Sequence, residues 1–213
     1  EIASCLVGSE MCIRDRKYFT EFWCSDNTDP IERIYIQWGF SQFFPAKAMC
    51  AHVTGWNKST SVKFRTDVAS MCKLGFDLGL KELSTDELAY CQTAVTNWKR
   101  LQAAIMDGVQ YRLVSPYQSN HMAVNYVSRD TDKAVLFAYD IYPRFQEKLM
   151  PVRLQGLNPD KRYKVEEINL MPSVKSALKA NGKIYSGDYL MKVGLDVFGT
   201  AITQSHVIEL TAQ

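Results

Sequence analysis

The chain has 213 residues, with 25 basic and 23 acidic side chains and a formal net charge of +2. No strong field of one sign attracts it to nucleic acid or to an anionic membrane. Hydrophobic residues make up 46% and charged residues 23%, proportions that are typical of a globular protein and exclude a disordered chain. No stretch reaches the roughly 18 consecutive apolar residues that a spanning helix needs. The sequence predicts one or two folded domains, with no nucleic-acid partner and no membrane partner.

The cysteines and histidines form no metal-binding pattern. The six cysteines include no C-x-x-C pair, and His52, His121 and His206 have no helical i,i+4 histidine partner. We therefore expect mostly free thiols, no metal ion and no other cofactor.

The first segment, residues 1–16, is not expected to belong to the fold. Its stretch Leu6 to Asp15, LVGSEMCIRD, is similar to the translation of a transposase-type sequencing adapter, so we exclude it from fold reasoning as a fusion scar would be. The alternative is an authentic amphipathic strand. If the stretch is an adapter, the chain is a fragment whose native sequence breaks off after Cys5.

The segment from residue 17 to residue 108 alternates short apolar runs with helical periods. Its first apolar run, Phe22-Trp23-Cys24, precedes a polar loop that ends at Asp29. Asp29 is a suitable helix N-cap, and Pro30 suits the first helical position because its missing N–H would have no partner there. Glu32 completes the pattern of a capping box. These residues predict a helix that begins at Pro30.

Two similar units follow. The apolar runs Ala48–Val53 and Leu74–Leu78 each precede a segment with helical periodicity. A second capping box, formed by Ser84 and Glu87, begins the last helix, which Gly108 can end. Three successive strand-loop-helix units predict an α/β fold with parallel strands and helical crossovers.

The character of the sequence changes after Gly108. Turn residues now separate short segments that are rich in β-branched and aromatic residues. These segments are Val124–Val127, Ala134–Tyr139, Val165–Leu170 and His206–Leu210. They predict a C-terminal antiparallel β-sandwich over residues 109–213.

Polar side chains lie at the ends of the three apolar runs. Reactive groups of a parallel α/β barrel gather where its strands end, so Asp26, His52 and Asp77 are the first candidates. A simpler interpretation stays open, in which Asp26 and Asp29 cap a helix and Asp29 pairs with Arg33 at i,i+4. His52 could equally be a core histidine that is hydrogen-bonded to backbone.

A longer pattern surrounds these candidates. The residues from Phe22 to Arg33, FWCSDNTDPIER, resemble the S-D-x-T-D-x-x-x-R signature of family 36 glycoside hydrolases, the microbial α-galactosidases. Ile36–Ser41 is similar to the family's I-Q-x-G-x-S helix. Met49–Val53 is similar to its M-G-A-H-V strand, with cysteine in place of glycine. Leu74–Leu78 resembles its F-G-Y-E-L strand end, with aspartate in place of glutamate.

This resemblance implies a fold and a catalytic residue. The chain would hold about the last three βα units of a (β/α)8 TIM barrel, in residues 17–108, followed by the β-sandwich of residues 109–213. Asp26 would be the general acid/base of a retaining α-galactosidase. Such an enzyme needs one carboxyl group that protonates the leaving oxygen and then activates water.

The resemblance also implies roles for other residues near the site. Contacts with the sugar substrate are expected from Trp23, Ser25, His52 and Cys5, although Trp23 could equally be a tryptophan buried in the barrel. Cys5 is included because Ser4-Cys5 matches the first two residues of the family's S-C-x-x-G-G sugar-contact motif. Asp29 and Arg33 are expected to orient the loop without touching substrate.

The family's nucleophile lies in a Lys-Trp-Asp segment, and the chain contains no Trp-Asp dipeptide. The fragment is therefore expected to be inactive alone, although its parent would hydrolyse terminal α-galactosides of oligosaccharides. The alternatives are a related α-N-acetylgalactosaminidase, a transglycosylase, or a non-catalytic sugar-binding β-sandwich. Homo-oligomerisation of the full-length protein stays open, as does a cytoplasmic, periplasmic or secreted location.

Overall fold

The computed structural model describes residues 20–55 and 59–213. The expected artefactual start, residues 1–16, and the candidate sugar contact Cys5 lie outside the described residues. The described part of the chain forms, in order, β1 Phe22–Trp23, α1 Pro30–Phe40, β2 Met49–Thr54, α2 Val62–Ala69, β3 Lys73–Asp77, α3 Thr85–Asp107, β4 Val109–Val114, β5 His121–Val127, β6 Lys133–Asp140, β7 Arg162–Ile168, β8 Ile184–Ser186, α4 Gly187–Lys192 and β9 Gln204–Ala212. Short 3-10 turns at Ala46–Ala48 and Leu80–Glu82 precede β2 and α3.

The first three strands form a parallel sheet in the order β1-β2-β3. Trp23 pairs with Cys50 between β1 and β2, and Thr54 pairs with Asp77 at the end of β2 and β3. Because the strands are parallel, their C-terminal ends all lie at the same edge. The predicted parallel α/β arrangement is confirmed. Three parallel strands with helical crossovers are compatible with part of a (β/α)8 barrel.

Local hydrogen bonds begin α1 at the residue that the sequence predicts. The carboxylate of Asp29 accepts hydrogen bonds from the N–H groups of Ile31 and Glu32 at 2.8 and 3.0 Å, and Pro30 is the first helical residue. The capping box predicted here is only half formed. The N–H of Asp29 donates to Oδ1 of Asn27 at 3.0 Å and not to the carboxylate of Glu32. The capping box of α3 is complete.

The C-terminal half forms one antiparallel sheet in the order β4-β5-β6-β9-β7-β8. The predicted strand segments and their antiparallel pairing are confirmed, but the second sheet that a sandwich requires is not formed in residues 109–213. Irregular segments and α4 cover the far face of the single sheet instead. Pro143, Pro151 and Pro159 fall between β6 and β7, and proline cannot donate to a central strand ladder. These prolines disfavour regular strand pairing in that segment.

Both faces of the antiparallel sheet are buried. On one face, Val124 and Tyr126 of β5 contact a core that is shared with helices α1, α2 and α3. On the other face, Ala123 and Val127 contact a core that includes Leu190 of α4. Alternate residues of a strand point to opposite faces, which produces this division. The sheet is therefore the middle layer between the helices and the irregular layer.

The connection between α3 and β4 requires glycine at position 108. A Cβ atom on Gly108 would lie 2.2 Å from the carbonyl oxygen of Ala104 and 2.5 Å from that of Val127. Only a residue without a side chain lets the backbone pass so close to these carbonyls. The change from helix to sheet thus occurs where the sequence predicts a domain boundary. The shared core crosses this point, and the division into two domains stays a prediction.

Candidate active site

The C-terminal ends of β1, β2 and β3 open into one cleft of about 740 Å³. Its walls consist of residues that end these strands or directly follow them. The lining residues are Trp23, Asp26, Thr28, His52, Thr54, Gly55, Asp77, Leu78, Gly79 and Glu82. Four residues that the sequence singles out, Trp23, Asp26, His52 and Asp77, are thus brought together.

A short hydrogen-bonded loop carries Asp26 from β1 to α1. The N–H of Asn27 donates to Oγ of Ser25 at 3.1 Å, and the N–H of Asp29 donates to Oδ1 of Asn27 at 3.0 Å. Bonds of this kind from side chain to nearby backbone fix a turn. Asp26 is exposed on the wall of the cleft. Ser25, a predicted substrate contact, uses its hydroxyl inside the loop and is not among the residues that line the cleft.

Arg33 lies buried beneath this loop, with 3% of its surface exposed. Its Nη1 donates to the carbonyl oxygen of Ser25 at 3.0 Å and its Nη2 to that of Cys50 at 3.1 Å. The guanidinium carbon is 5.3 Å from the centroid of the Trp23 ring, a cation–π distance. Of the simpler interpretation, the cap by Asp29 is confirmed, but the pairing of Asp29 with Arg33 is wrong, because the guanidinium of Arg33 bonds these two carbonyl oxygens instead. Arg33 instead joins the Asp26 loop to β2.

His52 lies beside Trp23 and Asp77. The ring centroids of His52 and Trp23 are 4.1 Å apart with planes tilted by 36°, and Nε2 of His52 is 3.7 Å from Oδ2 of Asp77. Partial burial lowers the pKa of His52. The Asp77 carboxylate opposes this shift, and the positive charge of Arg33 adds to it. A neutral imidazole has one donor and one acceptor nitrogen, which suits recognition of a hydroxyl group.

Sequence reasoning does not single out three of the lining residues, Thr28, Thr54 and Glu82. Oγ1 of Thr54 donates to Oγ1 of Thr28 at 3.0 Å, and Nη1 of Arg65 donates to the carbonyl oxygen of Thr54 at 2.6 Å. Thr54 ends β2, so the strand-end rule that selects His52 could also have selected it. Glu82 lies in the 3-10 turn after β3, and no local pattern predicts that this turn folds back to the cleft.

Two of the three carboxylates on the cleft wall are Asp26, which follows β1, and Asp77, which ends β3, and β2 separates these two strands. Neighbouring strands lie about 4.8 Å apart, so the ends of β1 and β3 are about 10 Å apart. A retaining glycosidase holds its two carboxyl groups about 5 to 5.5 Å apart. The strand spacing therefore does not favour Asp77 as a nucleophile that acts together with Asp26.

Within residues 20–55 and 59–213, no three or more His, Cys, Asp or Glu side chains are grouped so that they could hold a metal ion. None of the helices in this part of the chain is both long enough and apolar enough to cross a membrane.

Two family models match the chain. The Melibiase model matches residues 4–108, which include all three parallel strands, and the model of the glycosyl hydrolase family 36 C-terminal domain matches residues 121–210. The residues that line the strand-end cleft all lie in the part of the chain that the Melibiase model matches. The chain belongs to glycoside hydrolase family 36.

Relatives and solved structures agree with this assignment. A probable α-galactosidase G of Aspergillus terreus is 31% identical over 92% of this chain and 26% of its own length. The crystal structure of the α-galactosidase AgaB from Geobacillus stearothermophilus superposes with a TM-score of 0.79 at 28% identity, over 91% of this chain and 26% of that one. A variant of AgaA from the same organism, in complex with raffinose, superposes with a TM-score of 0.77 at 27% identity, over 89% and 25%. The chain thus spans about a quarter of the length of its relatives.

Proposed function

We propose that the protein containing this chain is a retaining α-galactosidase that removes terminal α-linked galactose from oligosaccharides, with Asp26 as its general acid/base. The observation that carries the proposal is the position of Asp26, which follows β1 in a hydrogen-bonded loop and is exposed on the wall of the strand-end cleft. The relatives are named as α-galactosidases. The complex of AgaA with raffinose supports an oligosaccharide substrate.

The mechanism is double displacement. A carboxylate nucleophile attacks the anomeric carbon while Asp26 gives a proton to the leaving oxygen. Asp26 then takes a proton from the water that hydrolyses the glycosyl-enzyme. The nucleophile belongs to a Lys-Trp-Asp strand, and this chain has no Trp-Asp dipeptide. The chain alone therefore hydrolyses no galactoside, since one carboxyl group cannot perform both steps.

The neighbouring residues position substrate and acid. Trp23 and His52 face the cleft and contact the sugar through the indole ring and the imidazole nitrogens. The sugar contacts expected of Ser25 and Cys5 both stay predictions. Asp29 and Arg33 act on the loop, because Asp29 caps α1 and Arg33 bonds the carbonyl oxygen of Ser25.

The proposal also covers the fold of the parent protein. The three parallel strands of residues 17–108 are the last units of a (β/α)8 barrel, and residues 109–213 form a second domain. The common edge at which β1, β2 and β3 end is the catalytic face of such a barrel. The parent requires no metal ion or other cofactor, since the two carboxyl groups supply the acid, base and nucleophile.

The test is Asp26→Asn in the complete protein. We expect kcat/KM for a natural oligosaccharide, whose leaving group needs protonation, to fall about 100-fold or more. An aryl galactoside with an acidic phenol should lose less, since its leaving group departs without a proton. Asp86→Asn is the matched control, because Asp86 is exposed in the first turn of α3. Circular dichroism checks the fold of both variants.

The same assay separates the rival functions. Equal turnover by Asp26→Asn and the native protein on both substrates would contradict the assignment of Asp26. Preferred cleavage of α-linked N-acetylgalactosamine would show that the enzyme is an α-N-acetylgalactosaminidase. Preferred transfer of galactose to added sugar acceptors would show that it is a transglycosylase. A complete protein that binds galactose through residues 109–213 but hydrolyses nothing would be a binding protein.

A further inference from the structure

A small cavity adjoins the strand-end cleft. Its lining residues come from β2, from helices α1 and α2 and from the loop before α1. Its volume is about 10 Å³, close to the roughly 10 to 15 Å³ that a single water molecule needs. Three lining residues, Thr28, His52 and Thr54, also line the cleft. The cavity therefore borders the site but is too small for a sugar ring.

Two of the residues that line this cavity have a buried polar atom without a partner. Gln37 is only 3% exposed. Its Nε2 donates to the carbonyl oxygen of Val68 at 2.9 Å, but its Oε1 has no hydrogen-bond partner within residues 20–55 and 59–213. In the same ranges, Nε of Arg65 has none either. One acceptor and one donor, both costly to leave unpaired, thus belong to the walls of one cavity.

The chemistry of these two atoms selects water among the small ligands. Water both donates and accepts, so one molecule can donate to Oε1 of Gln37 and accept from Nε of Arg65. A halide ion only accepts, and it would leave the side-chain carbonyl of Gln37 unpaired. A metal cation would be repelled by the guanidinium groups of Arg33 and Arg65, since none of the residues that line this cavity in the described part of the chain is Asp or Glu.

Hydrogen bonds connect the cavity to the loop that carries Asp26. Nη1 of Arg65 donates to the carbonyl oxygen of Thr54 at 2.6 Å. Oγ1 of Thr54 in turn donates to Oγ1 of Thr28 at 3.0 Å, and Thr28 lies two residues after Asp26 in the loop. A water molecule that pairs with Nε fixes the plane of the Arg65 guanidinium, and this plane determines where Nη1 meets the end of β2.

We propose that this cavity is a binding site for one ordered water molecule, which joins Gln37 of α1 to Arg65 of α2 and thereby holds the Asp26 loop in position. Gln37 and Arg65 are positioning residues, and neither touches substrate. The effect on catalysis rests on the proposed function, because it requires Asp26 to be the acid. The water site itself rests only on the cavity and its two unpaired atoms.

A crystal structure of the complete protein, at a resolution that shows ordered water, tests the site. We expect density for a water molecule about 3 Å from both Oε1 of Gln37 and Nε of Arg65. A crystal soaked in bromide should show no anomalous peak at this position. A cavity without density, or one with a bromide peak, would overturn the water site. This result does not depend on whether the protein cleaves galactosides.

The kinetics of the complete protein test the positioning role. The measured quantity is the ratio of kcat/KM for raffinose to kcat/KM for an aryl galactoside with an acidic phenol, because only the first leaving group needs a proton. Gln37→Met and Arg65→Lys each remove one contact to the water, and each should lower this ratio about 5-fold, the effect of one lost hydrogen bond. The double variant should also lower it about 5-fold and not about 25-fold, because either substitution alone releases the water.

Gln42→Met and Arg153→Lys are the matched controls, because both residues are exposed and neither lines the cavity. They should leave the ratio unchanged, and circular dichroism checks the fold of every variant. An unchanged ratio in both Gln37→Met and Arg65→Lys, equal losses on both substrates, or single effects that multiply in the double variant would overturn the positioning role while leaving the proposed function intact. A native protein that cleaves neither substrate would overturn the proposed function and the positioning role together.

Discussion

At the residue scale, the imidazole of His52 is the titratable group that reports on the cleft. Its pKa lies below the usual histidine value of 6.5 because partial burial removes hydration from the charged ring. We predict that an NMR titration of the imidazole finds this lowered pKa. We also predict that Asp77→Asn lowers it further, because the substitution removes a negative charge 3.7 Å from Nε2. The exposed Asp86→Asn serves as the control and should leave the titration unchanged.

The direction of this shift also determines its effect on stability. In the unfolded chain His52 binds a proton at higher pH than in the folded chain. The unfolded state therefore gains protons first as the pH falls below about 6.5, and His52 then lowers the free energy of unfolding. A pKa that rises in Asp77→Asn would contradict the proximity of these two side chains.

The sequence predicts which residues line the cleft better than it predicts their hydrogen-bond partners. Trp23, Asp26 and His52 could be predicted because each lies at a strand end, which is a local pattern. The partners of Arg33 could not be predicted in this way. They are carbonyl oxygens 8 and 17 residues away in the sequence. The i,i+4 rule pointed to Asp29, whose carboxylate is already used by the helix N-terminus.

At the element scale, the capping box of α3 makes the N-terminus of this helix sensitive to pH. The N–H of Ser84 donates to the carboxylate of Glu87 at 2.9 Å, and the N–H of Glu87 donates to Oγ of Ser84 at 3.3 Å. The hydrogen bond from the Ser84 backbone, followed by that from its hydroxyl, lowers the pKa of Glu87. We predict that Ser84→Ala lowers the free energy of unfolding by about 1 kcal/mol at pH 7.

The contribution of Glu87 should vanish in acid. A carboxylate with a lowered folded pKa stabilises the fold above its unfolded pKa, here the usual glutamate value of 4.5. This stabilisation is lost as the pH falls through the folded pKa. Urea unfolding should therefore separate Glu87→Gln from the native chain at pH 7 but not at pH 3. Glu32→Gln is the control, because the N–H of the α1 cap residue Asp29 donates to Asn27 and not to the carboxylate of Glu32. A difference that persists at pH 3 would contradict this account.

Helices and strands that depend on neighbouring residues could be predicted from the sequence. The layer that depends on contacts between residues far apart in the sequence could not. Asp29 and Ser84 mark helix starts because a cap bonds residues two or three positions away. The strands of the C-terminal half were found from composition, yet the second layer of that half was not. Whether the segments around Pro151 and Pro159 pair as strands or pack as irregular chain depends on contacts with α4 and β9 that no local pattern contains.

At the scale of the whole molecule, the carboxylate of Asp67 joins the helices to the antiparallel sheet. Asp67 is fully buried. It accepts hydrogen bonds from Lys63 at 2.6 Å, Tyr90 at 2.8 Å, Asn169 at 3.0 Å and Ser205 at 2.7 Å. These partners come from α2, α3, the end of β7 and β9. Side chains separated by up to 142 residues in the sequence thus meet at one carboxylate.

Because this cluster and the shared core connect both halves, we expect them to unfold in one cooperative transition. Asp67→Asn leaves the ammonium group of Lys63, whose side chain is 18% exposed, without its ion partner. Breaking a buried ion pair on one side costs about 3 to 5 kcal/mol, so the urea midpoint should fall strongly. Asp107→Asn, which affects a solvent-exposed pair with Lys47, should change the free energy of unfolding by less than about 1 kcal/mol.

Two probes test the cooperativity directly. Tryptophan fluorescence reports on the helical half, where Trp23, Trp38 and Trp98 lie, and far-UV circular dichroism reports on the whole chain. Coincident transitions in the native chain, shifted together to lower urea in Asp67→Asn, are expected if the carboxylate couples the layers. Separate transitions in the native chain would mean that the sheet folds without the helices. The buried Asp67 would then stabilise only α2 and its immediate neighbours.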